Sequence, residues 1–79
     1  MGVKRNAKLH KLKYWREVAG FMQADFAVLL GCTVQNYSLK ESGKTELKRG
    51  EMIALQSALN KEMEKSKGVK LSLDDIFLP

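Results

Sequence analysis

The chain has 79 residues, of which 44% are apolar and 29% charged, and these values predict one small folded domain with a thin core rather than a disordered segment. With a single cysteine, Cys32, and a single histidine, His10, the sequence excludes an internal disulfide and a tetrahedral zinc site. No apolar run approaches the length of a membrane span, and no apolar segment follows the basic start, so we expect a cytoplasmic protein without metal or cofactor.

The positive charge is concentrated at the N-terminus. The formal net charge is +5, and residues 1–16 contain six basic residues and no acid. We interpret residues 1–8 as a basic arm and residues 9–79 as a single domain. Such an arm suggests a polyanionic partner, usually nucleic acid, although a solvated tail that favours solubility has the same composition.

Glycines divide the chain into segments whose apolar residues recur at helical spacing. The first predicted helix covers residues 9–19 and ends at a glycine. The second covers residues 23–30 and ends at Gly31. Thr33 is a suitable N-cap for a third helix over residues 34–42.

Two further helices are predicted towards the C-terminus. Apolar residues at helical spacing predict a fourth helix over about residues 52–65. A fifth begins at Ser72, because an acid three residues later, Asp75, is typical of a capping box. The alternating segment 69–73 has no partner strand. The predicted fold class is therefore all-α, with five helices.

The two central helices are joined by residues 31–33 alone, and a short turn that contains glycine is the signature of a helix-turn-helix. Segment 20–44, GFMQADFAVLLGCTVQNYSLKESGK, is the matching string of a longer stretch, from Leu12 to Leu59, that resembles the helix-turn-helix domains of phage repressors and Cro proteins, the lambda-repressor-like or XRE family. The likeness lies in the joint spacing of Gln23, Ala27, Leu29, Leu30, Gly31, Thr33, Tyr37, Glu41, Gly43 and Lys44. The ending SLDDIF resembles the tail of short phage and prophage regulators. This resemblance implies a five-helix lambda-repressor-like helix-turn-helix domain.

In the fold that the resemblance implies, the third helix lies in the major groove of DNA. Base contacts would then come from Thr33, Val34, Gln35, Asn36 and Leu39. The amides of Gln35 and Asn36 suit adenine, whereas the aliphatic Val34 and Leu39 suit a thymine methyl group. Without the resemblance, Gln35 and Asn36 would be interpreted as solvated residues at the start of a helix.

Contacts to the DNA phosphates are expected from side chains around the same helix, namely Gln23, Lys40, Ser42, Lys44, Lys48 and Arg49. Such contacts fix the position of a protein on DNA without reading the sequence. In part of the family an arginine of the first helix pairs with the glutamate that closes the third. The matching residues, Arg16 and Glu41, would form a partly buried brace, unless they are two solvated surface charges.

The sequence departs from the family pattern at three places. Met22 stands where a capping Ser or Thr is usual, so the second helix starts less cleanly or borrows a cap. Lys40 replaces a residue that is often apolar. Segment 61–70 is longer than the usual link and is either a lengthened helix or a longer loop.

The remaining large apolar residues are interpreted as core, namely Trp15, Phe21, Phe26, Leu30, Tyr37, Ile53, Leu59 and Phe77. Cys32 occupies a small apolar position and is expected to be a buried structural thiol. The sequence contains no paired carboxylates and no glycine-rich phosphate loop, so an enzyme is not expected.

These patterns predict a sequence-specific transcriptional regulator of the phage repressor or Cro type, which binds a palindromic operator in double-stranded DNA as a homodimer. Neither a membrane nor a small-molecule ligand is expected. The alternative is a helix-turn-helix protein-interaction module, such as an antitoxin or an accessory partner of another regulator. The absence of arginine among residues 33–39 keeps this alternative open.

Overall fold

The computed structural model describes residues 10–78, which form five helices: α1 (His10–Val18), α2 (Gln23–Leu30), α3 (Val34–Glu41), α4 (Arg49–Lys67) and α5 (Leu73–Phe77). This part of the chain contains no strand, so the predicted all-α class is confirmed there. The basic arm, residues 1–8, and the predicted helix start at Leu9 lie outside the described residues. Among residues 10–78, no helix is both long and apolar enough to cross a membrane.

α2 and α3 are joined by a three-residue turn, as the sequence predicts. α2 ends at Gly31, whose φ of 71° lies in the left-handed region, which L side chains rarely adopt. The Thr33 hydroxyl then accepts a hydrogen bond from the Asn36 N–H at 3.0 Å, which caps the N-terminus of α3. Because of these two local features, α3 begins at Val34, with only three residues between it and the end of α2 at Leu30.

The start of α2 is stabilised by a carboxylate in the first turn of the helix instead of by a side chain at the N-cap position. Met22 offers no side-chain acceptor, but its N–H donates to the Asp25 carboxylate at 2.8 Å. α4 begins in the same way, with the Lys48 N–H donating to Glu51 at 3.0 Å. A carboxylate at this position also interacts favourably with the positive end of the helix dipole. The lack of a side-chain acceptor at Met22 is therefore compensated three residues later.

The core is built from apolar side chains of all five helices and of the segments between them. Its buried members are Leu12, Phe26, Ala27, Tyr37, Leu47, Leu55, Leu59, Met63, Leu71 and Ile76. Four predicted core residues are only partly buried and pack against this cluster, namely Trp15, Phe21, Leu30 and Phe77. Cys32, predicted to be buried, is also only partly buried.

The core prediction was wrong for Ile53, which is 44% exposed. The inward face of α4 is formed by Leu55, Leu59 and Met63, which recur every four residues. Ile53 lies two residues before Leu55 and is therefore turned about 200° around the helix axis, towards solvent.

Segment 61–70 is mostly helix, because α4 continues to Lys67 before the chain turns at Gly68. The returning chain is held by two side chains of α4. Asn60 accepts the Leu71 N–H at 2.6 Å and donates to the Leu71 carbonyl at 2.9 Å, and Gln56 donates to that carbonyl at 3.1 Å. α5 then packs against α1 and α4 with Ile76 fully buried.

Candidate nucleic-acid interface

The Glu41 carboxylate joins three helices, because it accepts hydrogen bonds from side chains of α1, α2 and α3. Arg16 donates from Nε to Oε2 at 2.8 Å and from Nη2 to Oε1 at 3.2 Å. The Tyr37 hydroxyl donates to Oε2 at 2.7 Å, and the Gln23 amide donates to Oε1 at 3.1 Å. Arg16 also donates from Nη1 to the Phe21 carbonyl at 2.9 Å. The pair predicted between Arg16 and Glu41 is thus formed, and it belongs to a larger network.

Both members of the pair are buried, with side-chain exposures of 7% for Arg16 and 6% for Glu41. Burial alone would raise the pKa of Glu41, but the hydrogen bonds from Arg16, Tyr37 and Gln23 outweigh it and hold that pKa below its ordinary value. Burial likewise opposes the charge on Arg16, yet the hydrogen bond and the charge of Glu41 raise the pKa of Arg16. Glu41 and Arg16 therefore remain ionised together at neutral pH.

The Tyr37 hydroxyl remains a neutral donor in this network. Burial raises its pKa above the ordinary value, and the hydrogen bond to Glu41 raises it further. The ring of Tyr37 packs edge to face on Phe26 of α2, with ring centroids 5.8 Å apart. Tyr37 thus fixes α3 by both its apolar ring and its polar end.

Sequence reasoning missed the contribution of Tyr37 to this network and the partner that Gln23 has in it. The signal for Tyr37 was the i, i+4 spacing to Glu41, which brings side chains together on a helix. The contact of Gln23 with Glu41 depends on the packing of α2 against α3, so no local pattern indicates it.

α3 has one buried face and one exposed face. Tyr37 and Glu41 are the buried residues of this helix. The five residues predicted to contact bases, Thr33, Val34, Gln35, Asn36 and Leu39, are all exposed. Each of these five side chains is therefore accessible in the structure, and we call the set the α3 outer face.

Three of the residues predicted to contact phosphate are exposed cations beyond the end of α3, namely Lys44, Lys48 and Arg49. Ser42 is partly buried, and its hydroxyl donates to the Leu39 carbonyl at 3.0 Å. Gln23 is partly buried and donates to Glu41, as described above.

Lys40, the sixth residue of that set, is engaged within the protein. Its ammonium lies 3.3 Å from a carboxylate oxygen of Glu51 and 3.3 Å from the Glu46 carbonyl oxygen. This contact joins the last turn of α3 to the first turn of α4. These polar partners accommodate the partly buried lysine at this position.

Comparisons of the chain with protein-family models, with curated proteins and with solved structures gave no match.

Proposed function

We propose that this chain is a sequence-specific DNA-binding transcriptional regulator of the phage repressor or Cro type, with a lambda-repressor-like helix-turn-helix fold. The observation that carries the proposal is that some side chains of α3 are buried and hold the helix in place, while others are exposed. Its inner face is held by Tyr37 and Glu41, while the α3 outer face is accessible. In this proposal α3 lies in the major groove, where such a face meets the base edges.

Rigid attachment of α3 supports this proposal, because base recognition requires accurately placed side chains. Hydrogen bonds from Arg16, Tyr37 and Gln23 converge on Glu41, the last residue of α3. They link the C-terminal end of α3 to α1 and α2. The Thr33 cap fixes the opposite end of the helix. Together these contacts determine the direction in which the α3 outer face points.

The exposed cations Lys44, Lys48 and Arg49 provide the charge that DNA binding needs. They follow α3 in the chain and would contact the phosphates that border the major groove. Neutralising a phosphate releases counterions, so each contact contributes affinity that depends on salt concentration. Gln23 would add a contact at the N-terminus of α2, where backbone N–H groups attract anions.

A single module of this size makes few base contacts, so the functional unit would be a homodimer on a palindromic operator. The two α3 helices would then occupy half-sites about 34 Å apart, one turn of the DNA helix.

Binding to duplex DNA at several salt concentrations tests the proposal. We expect log Kd to rise with log salt by about 0.9 for each phosphate contact. The test variant combines Lys44→Ala, Lys48→Ala and Arg49→Ala. Its slope should be lower than that of the parent chain by about one for each phosphate that is no longer neutralised.

The matched control removes the same charge from the other end of α4, by Lys61→Ala, Lys65→Ala and Lys67→Ala. These lysines are exposed and begin about 18 Å along the helix from Arg49. The control should retain the steep salt dependence. No binding to duplex DNA at low salt, or equal effects of both variants, would contradict the proposal.

The second candidate function is a protein-interaction module, and exposed aliphatic side chains favour it. Val28 of α2 is 81% exposed, and α3 adds the exposed Val34 and Leu39. Where such side chains form one contiguous patch, the patch is typical of surfaces that contact other proteins. Failure to bind DNA would select this alternative.

A further inference from the structure

The α3 outer face combines two amides and two aliphatic side chains without a charged group. Val34 is 42% exposed and Leu39 is 37% exposed. Gln35 and Asn36 are exposed next to them. The fifth member, Thr33, uses its hydroxyl oxygen to cap the Asn36 N–H.

α3 has one basic residue, Lys40, and the ammonium of this lysine is engaged by acceptors outside α3. Its ammonium contacts the Glu51 carboxylate and the Glu46 carbonyl. Guanine is most often recognised by a cation that donates to its O6 and N7 atoms. The most direct means of reading a G·C pair is therefore lacking from the α3 outer face.

We infer that the α3 outer face selects A·T-rich half-sites, with Val34 and Leu39 in contact with thymine methyl groups. This inference rests on the proposed function and specifies its DNA target. Gln35 and Asn36 have the donor and acceptor that pair with adenine N7 and N6, and thymine alone presents a methyl group in the major groove.

Desolvation explains why the aliphatic residues discriminate between base pairs. An aliphatic side chain against a thymine methyl removes apolar surface from water on both partners. Against a G·C pair, Val34 or Leu39 would displace water from polar base atoms without replacing the lost hydrogen bonds.

The test begins with selection of bound duplexes from a random pool by the full chain, which should recover A·T pairs at the centre of each half-site. Each selected thymine is then replaced by deoxyuridine, which removes only the methyl group. We expect about three- to fivefold weaker binding at the positions that face Val34 and Leu39, as for one methyl-sized group returned to water. In Val34→Ala, the penalty at one of these positions should fall below about twofold.

Val28→Ala is the matched control, because the same change is made at an exposed valine outside the α3 outer face. It should retain the full deoxyuridine penalty. Selection of G·C pairs at the half-site centre, or indifference to deoxyuridine, would overturn the inference and leave the proposed DNA binding intact. Absence of binding to every duplex would overturn both the inference and the proposed function.

Discussion

The guanidinium of Arg16 and the carboxylate of Glu41 meet side-on, although 25 positions separate them in the chain. Nε lies 2.8 Å from Oε2 and Nη2 lies 3.2 Å from Oε1. Two parallel hydrogen bonds of this kind are the strong, directional form of an ion pair. Because both side chains are buried, loss of either would leave a buried charge without its partner of opposite charge.

Removing one member of this pair should destabilise the protein severely. Glu41→Ala is expected to cost about 3–5 kcal/mol, since it strands Arg16, and a domain of this size has only about 5 kcal/mol of stability. The double variant Arg16→Met with Glu41→Leu should recover much of that loss, because it buries no charge. Chemical denaturation of Arg16→Met, of Glu41→Leu and of the double variant gives the coupling energy.

The control for this cycle is Lys40→Met, which breaks a more exposed ion pair with Glu51 and should cost at most about 1 kcal/mol. A coupling energy below about 0.5 kcal/mol between Arg16 and Glu41 would show that the buried pair does not hold α3 in place.

The hydroxyl of Tyr37 should contribute to stability separately from the ring. Tyr37→Phe preserves the packing on Phe26 and removes only the bond to Glu41, and a hydrogen bond to a charged group is worth about 1.5–3 kcal/mol. Tyr14→Phe is the control, because Tyr14 is exposed, and should change stability by less than about 0.5 kcal/mol. Equal unfolding midpoints in urea for the two variants would refute this role.

Stability should fall in acid, and Glu41 should account for part of the loss. The pKa of Glu41 is lower in the folded protein than its ordinary value, so the unfolded chain binds the proton more readily. Its contribution is complete above the unfolded pKa of about 4.3 and is lost as the pH falls towards the folded pKa. Urea denaturation between pH 7 and pH 3 should show this decline.

The double variant Arg16→Met with Glu41→Leu should lose less stability between pH 5 and pH 3 than the parent chain. The pKa of Glu51 and that of Asp75 are also lowered, first of all by backbone hydrogen bonds at helix starts, so some pH dependence should persist. Identical pH profiles for the variant and the parent would exclude Glu41 as a source.

Features that depend on a few neighbouring residues could be predicted from the sequence. The bounds of α2, its end at Gly31 and the Thr33 cap all follow from local backbone chemistry. The Arg16–Glu41 pair was predicted from the resemblance alone, because its partners meet only when α1 packs against α3.

Burial in the second half of the chain was harder to predict because tertiary packing decides it. Leu47 lies in the polar stretch KTELK and is nevertheless buried, since it packs into the core cluster from the link between α3 and α4. Ile53 fits the apolar spacing of α4, yet the helix turns it outward. The return of the chain onto α4 is fixed by contacts of Asn60 and Gln56 with Leu71. The presence of Asn or Gln in a sequence does not indicate which backbone group the side chain will bind.

Asn60 should hold the C-terminal segment more strongly than Gln56 does. Asn60→Ala removes both the acceptor for the Leu71 N–H and a donor to its carbonyl. The loss should be about 1–3 kcal/mol, since a partly buried N–H is left without its partner. Gln56→Ala should cost less, because Asn60 still satisfies the same carbonyl. Limited proteolysis after Gly68, together with urea denaturation, measures both effects, and a larger loss in Gln56→Ala would contradict this ranking.

Gln35→Ala and Lys44→Ala should separate base recognition from phosphate contact. Gln35 lies on the α3 outer face, so its loss should cost about 1–3 kcal/mol on the selected operator and little on random duplex. Lys44 is an exposed cation beyond α3, so its loss should weaken binding to both duplexes about equally and lower the salt slope by about one. Titration of each variant and of the parent chain against both duplexes at two salt concentrations measures these effects. Neither substitution removes a buried group, so the unfolding midpoints should match that of the parent chain and any change in affinity can be assigned to the interface. If Gln35→Ala weakens binding to the two duplexes equally, Gln35 is not a base contact, and the orientation proposed for α3 in the major groove is wrong.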